Sequence, residues 1–194
     1  MKKLICLSLA GLFLGCVTPQ TNPYMQVMSA ADYEKVVSRF TDREQVYDGF
    51  QQVLGVSATL LSTEVARAQL DQNARLYQWT PETFQNKKSE TETNLSKQTE
   101  VFVSFYVPER KHDDLHKANT TWKIFLDTGG KRFEGKAQRM KNILAEIQAL
   151  YPEHNRFSTA YRLIFPVPTS MVEANKAQLT MTGPVGSATL DLVK

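Results

Sequence analysis

Five residues of this chain have types and spacing that could do chemistry together: His112-Asp113-Asp114-Leu115-His116. Two histidines four apart share one face of a helix, where they could bind zinc. The pattern follows H-E-x-x-H with an aspartate in place of the glutamate that serves as general base. The third ligand would have to come from elsewhere, and His154 is the only other histidine. Aspartate is shorter than glutamate, and the segment runs from Pro108 to Ala118-Asn119-Thr120 without the apolar periodicity of a helix. The favoured expectation is a solvated loop joining two strands, with no metal. A metal-dependent hydrolase centred on His112 and His116 is the alternative, and it requires both rings to converge with a third ligand beside a pocket.

Other chemistry is sparser. There is no G-x-S-x-G, and no glycine-rich run that would cradle a phosphate, so no cofactor is expected. A serine–histidine pair depends on placement in space and is not readable from spacing. Adjacent acids such as Asp113 with Asp114, or Glu90 with Glu92, read as solvated faces rather than acid/base machinery. Lys131, Arg132, Lys136, Arg139 and Lys141 crowd one hairpin and its exit. They could meet anionic headgroups, but lysines protecting an exposed edge strand are the preferred reading.

The elements that must position these residues begin with a leader. Residues 1–16 read MKKLICLSLAGLFLGC, two lysines and then an apolar run of roughly ten residues. That is half of the roughly 20 needed to cross a bilayer as a helix, so it reads as a signal peptide. Phe13-Leu14-Gly15-Cys16 resembles the lipobox of bacterial lipoproteins, whose cysteine is diacylated on sulfur, freed by cleavage and acylated again, commonly with palmitate, on its new amino group. The usual pattern has leucine at Phe13's position and a small residue at Leu14's. The resemblance implies a signal peptide over 1–15, a lipid anchor on Cys16 and membrane attachment as the first partnership. Val17 stands where an aspartate would imply inner-membrane retention, so the resemblance points to the outer membrane, facing the periplasm. Two or more acyl chains tether stably where one holds only marginally. The remaining cysteine, Cys6, lies in the leader, so the mature chain would have no internal disulfide.

Losing Lys2 and Lys3 with the leader lowers the formal charge from +3 to +1, which gives no reason to expect nucleic acid as a partner. Apolar residues at 42% and charged residues at 22% are ordinary globular usage. Residues 16–27, with Pro19 and Pro23, read as anchor and spacer, and 28–194 as one domain.

Within that domain, Ser29 and Asp32 form a weak capping box, with Tyr33, Val36, Val37 and Phe40 at helical spacing. Gln52–Leu61 reads as a strand, with Val46, Tyr47 and Phe50 continuing or pairing with it. Thr63 is expected to cap a helix with Trp79 covering the helix–sheet core, and Thr80-Pro81 to start a second, largely solvated helix reaching Gln98. Residues 101–107 read as a strand covered on both sides. Trp122–Asp127, the Gly129-Gly130 turn and 131–140 suggest a hairpin, 142–150 a helix, Tyr161–Phe165 a strand, and the C terminus a second hairpin.

Strands with hairpin turns and no regular strand–helix alternation imply a mainly β fold, an antiparallel immunoglobulin-like β-sandwich with a helical insertion at about 63–98. It is similar in outline to uncharacterised envelope lipoproteins in which a helix-bearing β-sandwich follows the lipobox. The expected function is a non-enzymatic, lipid-anchored protein that binds an envelope protein or serves as a structural module; the alternative is a periplasmic metal-dependent hydrolase.

Overall fold

The computed structural model describes residues 28–193, so the leader, Cys16 and the spacer lie outside the described residues. The fold is mixed α/β, with nine strands and five α-helices among the described residues. β1 (Thr41–Asp48), β2 (Gln51–Leu60), β3 (Thr99–Tyr106), β7 (Thr159–Phe165) and β6 (Lys136–Arg139) form one antiparallel sheet in that order. β5 (Lys131–Glu134), β4 (Lys123–Thr128), β8 (Ala177–Gly183) and β9 (Gly186–Val193) form the other.

Alternation builds the core between them. Leu54, Val56, Ala58 and Leu60 from β2, Val101, Val103 and Phe105 from β3, and Tyr161, Leu163 and Phe165 from β7 meet Ile124, Leu126, Leu179, Met181, Leu190 and Leu192 of the second sheet. Period-two side chains put one set inward and leave the intervening set for the outside.

The stretch 131–140 is not the simple hairpin arm expected from its turn. It pairs with β4 as far as Glu134 and with β7 from Lys136, so the strand passes from one sheet to the other at Gly135. A Cβ at Gly135 would lie 2.5 Å from the Phe165 ring, so the crossing requires glycine. At the opposite margin, Asp42 and Glu44 of β1 accept hydrogen bonds from the backbone N–H groups of Asp191 and Thr189 in β9. Carboxylates thus occupy the donors that an open edge would present to another chain.

Helices cover the outside of the first sheet. α1 (Ala30–Arg39) is capped by Ser29, whose hydroxyl accepts from Asp32 N–H, as the capping pattern predicts. α2 (Thr63–Leu76) is capped by Ser62 rather than Thr63. Thr63 is already helical and gives both its N–H and its hydroxyl to the Glu173 carboxylate. α3 (Pro81–Lys97) starts at the Thr80 cap with proline first, and only Phe84 is buried along it. Trp79 packs with Leu70, Ala74 and Phe84 between α2 and α3, not over the sheet. α4 (Leu144–Leu150) seats Ile147 and the following Tyr151 on Phe102, the two aromatic rings stacking at 3.6 Å. Tyr33 donates to the Leu150 carbonyl and Gln72 to that of Ala149, which ties α1 and α2 to α4. α5 (Thr169–Glu173), unheralded by the sequence, follows Pro168 and buries Val172 in the core.

Candidate functional site

The His112–His116 segment lies in the connection from β3 to β4, which leads from the first sheet to the second. Leu115 is 3% exposed and enters the core beside Trp122. Trp122 stands edge-on to Phe105, and a Cβ on Gly183 would sit 2.3 Å from its indole, so the ring lies flat against that backbone. The indole N–H donates to the His112 carbonyl at 2.8 Å.

The polar residues of the segment are occupied in holding it there. Asp113 accepts from the Tyr161 hydroxyl at 2.9 Å and from the Thr159 hydroxyl at 2.6 Å, and Asp114 accepts from Thr120. His116 places Nδ1 3.3 Å from the Tyr161 oxygen. Burial, then the Asp113 carboxylate, raises the Tyr161 pKa, so the phenol stays protonated and donates to Asp113. One turn of 3₁₀ helix over Arg110–His112 stands where two histidines on one helical face would need a longer helix. Among the described residues no group of three potential metal ligands converges, and His154 lies across the first sheet rather than beside the other two.

His154 instead meets a residue that spacing could not have indicated. Ser104 projects from the outer face of β3, and its hydroxyl lies 2.8 Å from His154 Nδ1. Both residues are 4% exposed. Burial lowers the His154 pKa, which favours the neutral ring. A serine hydroxyl against a neutral imidazole is the first half of a nucleophile–base pair. Among the described residues no carboxylate hydrogen-bonds to His154 to orient it as the third group. The ring stands edge-on to Phe102, and Gln148 donates to the His154 carbonyl, so the pair joins the loop after α4 to the sheet.

Two concavities flank that loop. The smaller, about 330 Å³, lies over Ser57, Ser104 and Tyr106, and the Arg43–Glu153 ion pair is at its wall. The larger, about 560 Å³, lies between the start of the β3–β4 connection, the end of β6, α4 and residues 154–160. Its apolar walls include Val107, Met140 and Ile147, and its polar groups include Arg110, Arg139, Arg156 and Asp113. The volume falls within the roughly 300–1,000 Å³ of small-ligand sites.

The basic hairpin singled out by its composition is divided by the sheet crossing. Lys131 and Arg132 belong to the second sheet, where Arg132 holds Asp127 in two hydrogen bonds and lowers the carboxyl pKa. Lys136 and Arg139 belong to the first, and Arg139 turns into the larger groove. No helix among the described residues is long and apolar enough to cross a membrane.

Compared with known proteins, the chain matches no protein-family model, no curated relative and no solved structure.

Proposed function

We propose that this chain is a lipid-anchored, non-enzymatic binding module of the cell envelope, tethered through Cys16 to the outer membrane and facing the periplasm. The observation that carries the binding half is the contrast between the groups that could do chemistry and the groove beside them. Asp113, Asp114, His116, Ser104 and His154 are spent on hydrogen bonds that hold loops to the sheet, while the groove keeps its arginines open. The anchoring half rests on the sequence MKKLICLSLAGLFLGC. The two facing antiparallel sheets support an immunoglobulin-like reading of the body as architecture, which does not carry function with it.

Mass spectrometry of the mature N-terminal peptide with membrane fractionation tests the anchor. A triacylated Cys16 peptide in the membrane fraction is expected. A Cys16→Ser chain clipped at the same bond and sedimenting unchanged overturns it. The hydrolase alternative predicts zinc in the purified protein that is lost on His112→Ala and His116→Ala; elemental analysis decides it.

A further inference from the structure

The larger groove assigns itself a ligand class through its charges. Arg39, Arg43, Arg132 and Arg162 each pair with a carboxylate. The other five arginines make no ion pair among the described residues: Arg67 and Arg75 lie on α2, and Arg110, Arg139 and Arg156, all exposed, line the groove. The one carboxylate that lines it with them, Asp113, already accepts from Tyr161 and Thr159. Guanidinium groups set around one concavity repel one another and are drawn together by an oxyanion, which each can engage through two parallel N–H donors. The same groove has apolar walls at Val107, Met140 and Ile147, and Leu144 and Phe157 at its margin are 39% and 75% exposed.

We propose that this groove binds an anionic amphiphile, its phosphate or carboxylate held by Arg110, Arg139 and Arg156 and its single apolar chain laid along Val107, Met140 and Ile147. An acidic peptide would satisfy the arginines but would leave its polar backbone against those apolar walls, where unpaired amides are costly. A purely apolar ligand would leave the three charges unanswered. The proposal rests on the reading of the fold as a binding module and is independent of the anchor at Cys16.

Titration calorimetry on the full chain carrying Cys16→Ser, so that no acyl group of its own competes, tests this with decyl phosphate and decanoate below their micellar concentrations. One equivalent of at least one of the two is expected to bind, and the tighter identifies the headgroup. Inorganic phosphate alone and decanol alone should each bind about tenfold more weakly or worse, and Arg139→Gln and Arg156→Gln should each weaken the amphiphile about tenfold, with Arg139→Lys recovering part. Because these arginines are exposed, unchanged melting temperatures should accompany the loss. Equal binding by the Arg139→Gln/Arg156→Gln double variant, by phosphate alone or by decanol overturns the proposal. So does an acidic peptide that binds the groove where neither amphiphile does, an outcome that leaves the binding-module reading standing. Release of phosphate from bound decyl phosphate would confirm the ligand and end the non-enzymatic reading.

Discussion

The two sheets use their outer faces differently. On the first, Phe102, Ser104 and Thr59 are buried under helices and a loop. On the second, Lys123, Gln178, Thr182, Ser187, Thr189 and Asp191 face solvent. Where the outer face is covered, its polar groups are paired inside the protein, Ser104 with His154 and Thr59 with Thr41, because a buried unpaired polar group is costly. Where it is open, pairing is optional: Gln178 donates to Asp191 and Thr182 bonds Ser187 across the β8–β9 pair, but exposed groups of this kind can also be satisfied by solvent. Candidate chemistry therefore appears on the covered face for a reason that need not be catalytic: that is where a histidine and a serine must find each other.

Two phenylalanines measure the difference. Phe102→Ala removes a ring packed on Tyr151 and Ile147 and should destabilise by about 3–5 kcal/mol, read as a shift in the urea midpoint. Next in size, Gly135→Ala presses a methyl group into the Phe165 ring where the strand changes sheet and should cost about 1–3 kcal/mol. If it is silent, the crossing is not sterically specified.

The covered face should also carry a pH dependence in the histidine range, whereas that of the open face, from Asp127 held down by Arg132, lies in the acid range. Burial depresses the folded-state pKa of His154 below its unfolded value near 6.5. The unfolded chain then takes up a proton first, so this contribution is complete above about pH 6.5 and is lost as pH falls toward the folded pKa. Urea melts at descending pH should show it, and His154→Gln should flatten that part of the curve. The smallest effect belongs to the open face. Phe125→Ala, a half-buried ring under the Arg132 guanidinium, should cost about 1 kcal/mol or less, and a loss equal to that of Phe102→Ala would erase the contrast.

Much of the scaffold was legible because local physics sets it. The apolar run in 101–107, the Ser29 and Thr80-Pro81 starts and the Gly129-Gly130 turn each follow from backbone geometry and a few neighbouring side chains. The misreadings came where a distant partner intervened. Thr63 yields the cap to Ser62 while Glu173, 110 residues away, takes its N–H. The stretch 131–140 splits because Phe165 and β7 meet it at Gly135. The His112–His116 segment was rightly expected to be a connection between strands, but it is locked to Tyr161 and Trp122 instead of being solvated throughout.

By itself, the sequence determined the presence and type of most strands and helices, the two-faced burial of β3 and the resemblance of its first sixteen residues to a lipoprotein leader, because these depend on spacing along the chain. Only the tertiary structure decided that Ser104 meets His154 across fifty residues and that Arg110, Arg139 and Arg156, from three separate connections and strands, surround one groove. Side chains far apart in sequence become neighbours only when the sheets close on their shared core, and nothing in local propensity encodes which ones will face each other.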